Sequence, residues 1–438
     1  MKVDPKILLV NPPIYDFAAY DYWLKPLGLL TIAGMIAHSA ELEMFDFLDR
    51  ADSFYEDKPK YKSGRFGTGR FFSEKIPTPE PLQNIPRHYR RFGASTSKFV
   101  EYLETSAQHD YAMIQTVMTY WYPGYKEVIE TIRSVSPATK IILGGPYALI
   151  CPAHAKSLGA DFTVDEPGLN NLFNYLKIAP ARDLPPRWQV YKRLESASMR
   201  LTTGCPFKCT YCSVPSIYGK FATLPIDKKL AELEAIVSLG VKNIAFYDDA
   251  LLYKSGEVLE PFLKEAVRRK LEVNFHSPNA LNARFVTPGI AELMVEAGFK
   301  TFCLGFESSS QDFQKHTGSK VCGEELSRAV EYLKAGGAAK SNITAYQILG
   351  HPKQSLAGAE ESMRYINSLG IKIMLADFSP IPGTPDGEYC RRFVNLDEPL
   401  THNKTAFPIM TLGNEKVNRL KDMARKLNHQ IAGVKSTG

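Results

Sequence analysis

The sequence predicts an α/β chain: a doubly wound parallel sheet, then six further strand–helix units, then a short helical tail. Two observations lead there. Short, continuously apolar runs alternate with amphipathic stretches of helical period, the pattern of parallel strands covered on both faces. The alternation is interrupted once by a proline-bearing stretch from Pro180 to Tyr191 that contains Pro185-Pro186 and reads as a stiff linker. The expected organisation is a first domain over 1–178 with a long insertion at 51–97, a linker at 179–195, a second domain over 196–390 and a tail over 391–438.

Composition narrows the class. The 438 residues allow two or three domains, and 44% hydrophobic with 23% charged residues is ordinary for a globular protein. A net charge of +6 gives no argument for nucleic acid. Seven cysteines, three of them clustered, fit a metal site in a reducing compartment better than a disulfide framework. Cys151, Cys303, Cys322 and Cys390 are scattered and read as buried small hydrophobes. Lys2, Asp4 and Lys6 precede only a short apolar strand, so no signal peptide is expected. No apolar run reaches membrane-spanning length, and cytoplasm is the expected location.

In chain order, Ile7-Leu8-Leu9-Val10 is a buried strand ending in Asn11-Pro12-Pro13, and an apolar helical segment from Leu27 to His38 follows. Leu42 to Asp46 is a second strand, and Tyr111 to Val117 a third that ends in Met118-Thr119-Tyr120-Trp121-Tyr122-Pro123. Helix Gly124–Val135 leads to strand Lys140 to Leu143 and then Gly144-Gly145-Pro146. Ligands of doubly wound sheets bind at the carboxyl ends of the strands, where these loops fall. The insertion carries Lys58, Lys60, Lys62, Arg65, Arg70, Arg87, Arg90 and Arg91 interleaved with Tyr61, Phe66, Phe71, Phe72 and Tyr89. It reads either as a solvated excursion or as a lid that selects an anionic substrate, and Gly64 to Gly69 as a weak candidate for an anion-binding nest.

The second domain begins with Met199-Arg200-Leu201-Thr202 and the loop Gly204-Cys205-Pro206-Phe207-Lys208-Cys209-Thr210-Tyr211-Cys212. Three thiols in C-x3-C-x2-C spacing converge on one inorganic centre, and iron–sulfur clusters take thiolate ligands. A four-iron cluster with three protein ligands leaves one iron open. A structural zinc site is the alternative, but it wants four closed ligands and no histidine lies near. Further strand ends present Tyr247-Asp248-Asp249, His276-Ser277-Pro278-Asn279, Gly305-Phe306-Glu307-Ser308, Leu349-Gly350-His351-Pro352 and Ser379 to Pro385. In α/β barrels that edge builds the site. His276 and His351 are candidate acid–base groups or structural hydrogen-bonders, and Tyr346 and Tyr389 candidate hydrogen-atom donors. From Asn414 to Ile431, Val417, Leu420, Met423, Ala424 and Leu427 recur at helical spacing, as in a packing helix.

The cysteine loop, with Tyr211 at the aromatic position, resembles the signature of the radical S-adenosylmethionine (radical SAM) superfamily. The resemblance implies a six-unit (β/α) partial TIM barrel and a 4Fe–4S cluster on Cys205, Cys209 and Cys212. Its open iron would chelate S-adenosylmethionine, and one-electron reduction would give a 5′-deoxyadenosyl radical. By the same resemblance Asp248 and Asp249 face the methionine amino group, Glu307 and Ser308 the nucleoside, and Asn279 and Arg284 the ribose or carboxylate. Tyr247-Asp248-Asp249 departs from the family's usual Gly-Gly-Glu at that strand end.

The first domain is similar to the Rossmann-like cobalamin-binding domain of many radical SAM proteins. That implies contacts from Asn11, Pro12, Pro13, Thr119, Tyr120, Trp121, Tyr122, Gly144, Gly145 and Pro146, the paired glycines letting the backbone approach the cofactor's nucleotide tail. The D-x-H-x-x-G motif of other cobalamin proteins is absent. The implied function is cobalamin-dependent alkylation, methylation first, of an unactivated carbon in a small-molecule or peptide substrate. A reducing partner such as flavodoxin or ferredoxin would serve it. Two alternatives stand beside it: a radical SAM enzyme with a cofactor-free first domain doing rearrangement or ring formation, and a non-catalytic iron–sulfur protein for electron transfer or redox sensing.

Overall fold

The computed structural model describes residues 4–52, 63–318 and 320–433, without the side chains of the last two. The chain divides into two compact units, one built mainly on Met1–Ala197 and the other on Ser198–Leu230, Lys242–Leu396 and His402–Gly438.

The first unit holds a five-stranded parallel sheet of β1 (Lys6–Asn11), β2 (Glu41–Asp46), β3 (Tyr111–Gln115), β4 (Lys140–Gly144) and β5 (Phe162–Val164). Their order is β2-β1-β3-β4-β5, so the winding reverses beside β1. Alternation of side chains along each strand explains the continuous apolar runs. Leu8, Val10, Ala112, Ile114, Ile141 and Leu143 enter one core with Phe99, Val128 and Ile132, whereas Ile7, Leu9, Met113 and Ile142 enter another with Leu29, Ala33 and Phe173. Both faces are covered by helices. The helix after β3 runs Tyr122–Val135, two residues longer at its start than the sequence predicts.

Three expectations need correction here. The described part of the insertion is not simply a solvated excursion: Ile14–Asp16, Arg90–Phe92 and Ser73–Lys75 form an antiparallel sheet with Arg90–Phe92 in the middle. Phe71, Leu82, Ile85 and Tyr89 are buried, and the Arg91 guanidinium grips both oxygens of Glu127 at 2.8 and 2.6 Å. Strands of three residues are too short to show a period. Second, the glycine turn at 64–69 spends its three glycine amides within the fold instead of offering them to an anion. Gly64 N donates to Thr68 O, Gly67 N to Gly64 O and Gly69 N to Asp21 O, and Arg50 donates to Gly67 O. Third, Cys322, read as a buried small hydrophobe, is exposed. The 179–195 stretch packs on the first unit. Trp188 is buried, Arg187 N donates to Leu30 O, and a Cβ at Gly34 would meet Pro185 O at 2.0 Å. Arg65 and Arg70 are exposed, while Lys58, Lys60, Tyr61 and Lys62 lie outside the described residues.

The second unit carries six strands: β6 (Ser196–Met199), β7 (Asn243–Phe246), β8 (Asn274–Asn282), β9 (Phe299–Glu307), β10 (Ile343–Leu349) and β11 (Lys372–Asp377). Each lies beside its sequence neighbour, the order of a singly wound sheet. The edge strand β11 is covered by the C-terminal helix Asn414–Gly433, whose Val417, Leu420 and Ala424 are buried. Asn428 on that helix accepts from Ile373 N and donates to Ile373 O, both at 2.8 Å, replacing the missing neighbour strand.

Truncating one partner of a buried ion pair strands the other charge, at a cost of about 3–5 kcal/mol. Arg91→Ala is therefore expected to lower the urea midpoint sharply, while Arg70→Ala, at an exposed position, leaves it within about 0.5 kcal/mol of wild type.

Candidate functional site

The cysteine loop is a closed hairpin at the carboxyl end of β6. Thr202–Thr203 pairs antiparallel with Ala222–Thr223, and the short helix Val214–Tyr218 completes the excursion. Gly204 adopts φ +68°, and a Cβ there would meet Lys220 O at 2.6 Å, so the hairpin closes only on glycine. Gly318, at φ +114°, lies against the Cys209 backbone, where a Cβ would be 3.1 Å from its Cα. Tyr211 packs on Phe313, Ile348, Phe378 and Phe407 and roots the loop in an apolar cluster.

Cys205, Cys209 and Cys212 are unpaired and half-buried. Burial raises all three thiols above their ordinary range, Cys212 to about 11, and the neighbouring sulfurs push the Cys205 and Cys212 thiols further up. Opposing this, the Phe207 and Val214 amides hydrogen-bond the sulfurs of Cys205 and Cys212, and the Lys320 ammonium lowers all three. Among the described residues, no three His, Cys, Asp or Glu side chains gather tightly enough to share one metal ion. Three thiols close enough to feel each other's charge are a donor set of the kind that clusters take. The donor set fits an iron–sulfur cluster with one iron not held by cysteine.

The acidic residues expected at the strand ends surround this loop. Asp249 is close enough to Cys205, and Glu307 to Cys209, to raise those thiols. Asp248 accepts through Oδ1 from Leu201 N, Thr202 N and Thr202 Oγ1, while Oδ2, like Asp249 Oδ2, is buried with no hydrogen-bond partner. A buried carboxylate oxygen without a donor suits a cationic ligand such as an ammonium. Asn279 Nδ2 donates to Tyr247 O and Asp248 O, tying β8 to the end of β7. Glu307 sits at φ +69° beside a register shift in β9. Such backbone costs about 1–3 kcal/mol in a non-glycine residue. Gln314 Nε2 grips Phe306 O and Ser308 O on either side, and Lys320 Nζ lies 3.3 Å from the Glu307 carboxylate. The Ser308 hydroxyl is spent on Ser362 and Ser310 N, and Arg284 is paired with Glu325 at 2.8 Å.

Sequence reasoning missed three residues. Lys320 arrives from a segment with no motif. Arg200 lies just past the end of β6, donates to Tyr247 O and Tyr218 Oη, and lowers the Asp248 and Asp249 carboxyls against their burial. The third, Asp386, arrives from the helix after the last strand and bonds Thr210 of the cysteine loop. The histidines are structural: His276 is fully buried between Thr301 and Asn243, and burial drives it down to about 3. His351 is wedged between Phe313 and Phe378. Tyr346 donates to Pro278 O, and Tyr389 stacks under Arg392 and Lys353.

In the first unit, Asn11, Pro12, Pro13, Lys25, Gln115 and Trp121 line a recess at the carboxyl ends of β1 and β3. Asn11 Nδ2 is bonded to Asp46 and Trp121 Nε1 to Asp16. Thr119 and Tyr120 form a buried turn with Trp121, and burial with the Glu398 charge raises Tyr122 to about 12. Gly144 ends β4, and Pro146 starts the next helix. Gly145 has φ +120°, and a Cβ there would be 2.2 Å from Thr116 O. The fold itself demands that glycine, whatever binds.

Residues 199–366 match the family model described as the radical SAM superfamily. The chain carries a radical SAM domain. It is 29% identical over 199 residues to a bacteriochlorophyllide d C-12(1)-methyltransferase of Chlorobaculum tepidum, covering 42% of this chain and 40% of that protein. The chain spans about two fifths of the length of the first curated relatives it matches. In fold it is similar to the radical S-adenosylmethionine methyltransferase TsrM of Kitasatospora setae, solved with cobalamin and a [4Fe-4S] cluster bound: TM-score 0.63, 15% identity, 92% of this chain and 85% of that one. It is also similar to the cobalamin-dependent S-adenosylmethionine radical enzyme OxsB, at TM-score 0.55, 13% identity, 96% of this chain and 61% of that one. At such identities these two likenesses are of fold. No described helix is long and apolar enough to cross a membrane.

Two measurements check this site. Burial raises the Asp248 carboxyl from 3.8 to about 6, so it favours the folded state fully below pH 4 and loses that contribution as pH rises to 6. Asp248→Asn keeps an acceptor without the charge, so relative to wild type it gains up to about 3 kcal/mol between pH 4 and pH 8. Lys320→Met removes the cation and leaves Glu307 unpaired, both of which raise the thiols. Iodoacetamide labelling of the metal-free loop at pH 8 is expected to slow severalfold.

Proposed function

We propose that this chain is a radical SAM enzyme that reductively cleaves S-adenosylmethionine and, with cobalamin, methylates an unactivated carbon. The observation that carries the cleavage is the loop of three half-buried thiols set among Asp249, Glu307 and Lys320. Cys205, Cys209 and Cys212 hold the 4Fe–4S cluster, which when bound supplies the electron that splits the C5′–sulfur bond. Asp248 and Asp249 present buried carboxylate oxygens to the methionine ammonium. Arg200 favours the charged form of those carboxylates against their burial, and Glu307 with Asn279 faces the ribose. The apolar walls around Tyr211 exclude water, which protects a radical from quenching. In this reading the second unit is a partial TIM barrel and the first a Rossmann-like cobalamin domain, with the cofactor over Asn11 to Pro13, Thr119 to Tyr122 and Gly144 to Pro146. Cobalamin when bound supplies the methyl carrier. A small reducing protein of the flavodoxin or ferredoxin kind delivers electrons, and the substrate is a small molecule or peptide.

Two observations favour a second reading, in which the first unit binds no corrinoid. Gly145 is required by the fold alone, and the Asn11 side chain is already bonded to Asp46. The two readings part on one preparation, reconstituted anaerobically with iron, sulfide and excess hydroxocobalamin. The first predicts four irons and one cobalt per chain, and 5′-deoxyadenosine on adding dithionite and S-adenosylmethionine. Iron and 5′-deoxyadenosine without cobalt select the second. Cys209→Ala is expected to abolish 5′-deoxyadenosine in either; a cluster that never cleaves S-adenosylmethionine would return the chain to electron transfer or sensing.

A further inference from the structure

Behind the cysteine loop, three separate segments meet on one carboxylate. Asp386, 1% exposed, stands in the first turn of the helix Pro385–Cys390 that follows the last strand. Its Oδ2 accepts from Thr210 Oγ1 and faces His351 Nε2 at 3.0 Å, and its Oδ1 accepts from Lys353 Nζ at 2.9 Å. Its own amide donates to Thr210 O at 3.0 Å. Thr210, lying between Cys209 and Tyr211, is thus gripped at both its side chain and its carbonyl.

The partners are themselves fixed. The His351 ring is fully buried between Phe313 and Phe378, at 5.0 and 4.6 Å. Lys353 lies over the Tyr389 ring at 4.8 Å. Gly387 must lack a Cβ because one would sit 1.8 Å from Ile381 O, which sets the turn that delivers Asp386. Neither Asp386 nor Lys353 is among the thiol or strand-end residues named above, yet the carboxylate reaches the one residue that separates Cys209 from Tyr211 and Cys212.

We propose that Asp386 is a positioning residue for the cluster: through Thr210 it sets the spacing of Cys209 and Cys212, with His351 and Lys353 holding the carboxylate in place. The proposal rests on the cluster reading above. Charge-assisted hydrogen bonds are the strong ones, and a group that loses such a partner while buried pays the full desolvation cost. A slack loop holds three corners of a cluster less well than a preset one.

The test compares wild type, Asp386→Ala, Thr210→Val and Thr210→Ser, each full-length. Thr210→Val keeps the side-chain volume without the hydroxyl, and covers the case in which Asp386→Ala fails to fold. Metal-free protein is labelled with iodoacetamide and read site by site, Cys151 in the first unit serving as control. Reconstituted protein is challenged with an iron chelator, and its reduced electron paramagnetic resonance spectrum is recorded. The expected result is that Asp386→Ala and Thr210→Val label Cys209 and Cys212 faster and release iron faster, each by about tenfold, the worth of one charge-assisted hydrogen bond. Thr210→Ser restores both rates and the wild-type spectrum, and Cys151 labelling is unchanged throughout. Wild-type labelling, iron release and spectra in Thr210→Val would overturn the proposal. Faster labelling in the variants of a protein that takes up no iron would keep the clamp and remove the cluster reading.

Discussion

The second unit is organised around a conflict between desolvation and charge. Thiols that bind a cluster must lose their protons, yet the half-buried loop raises all three above their ordinary range. The fold answers with a half-buried lysine, two backbone amides aimed at sulfur, and carboxylates offset by Arg200 and Lys320. Once a cluster is bound, the desolvation that opposed ionisation would keep water from its open corner. The same surroundings therefore hold protons more tightly on the empty thiols and would favour radical chemistry once a cluster replaces those protons.

Rigidity follows from where the loop is held. The antiparallel ribbon closes its base, Gly318 lies under Cys209, Tyr211 enters an apolar cluster, and Asp386 grips Thr210. These anchors come from the ends of β6, β9, β10 and β11, so the sheet order itself brings them together. Backbone strain at Glu307 fits this picture, since Gln314 fixes the carbonyls on both sides of it. A singly wound sheet has two exposed edges, and Asn428 satisfies one of them with a side-chain amide in place of a strand.

Much of this was legible in the sequence, and the divide has a physical cause. Apolar runs reported the strands because both faces of the first sheet are buried, and the cysteine spacing is local information. Lys320, Arg200 and Asp386 were not legible, because their roles depend on pairings across tens of residues that no short motif records. The insertion was misread for another reason: strands of three residues show no period, and a run of arginines looks solvated whether or not one of them is buried against a glutamate. Gly145 was read as making room for a ligand, whereas its space is filled by Thr116 O. A glycine at a strand end has two explanations that sequence cannot separate.

The central claim is that three thiols of one loop hold a cluster with a single iron left for S-adenosylmethionine. Mössbauer spectroscopy of protein reconstituted with ⁵⁷Fe, recorded with and without S-adenosylmethionine, tests it most directly. The account predicts a four-iron spectrum in which one iron alone changes its environment when S-adenosylmethionine is added. Four irons that all stay unchanged, or a preparation that takes up zinc in place of iron, would contradict it.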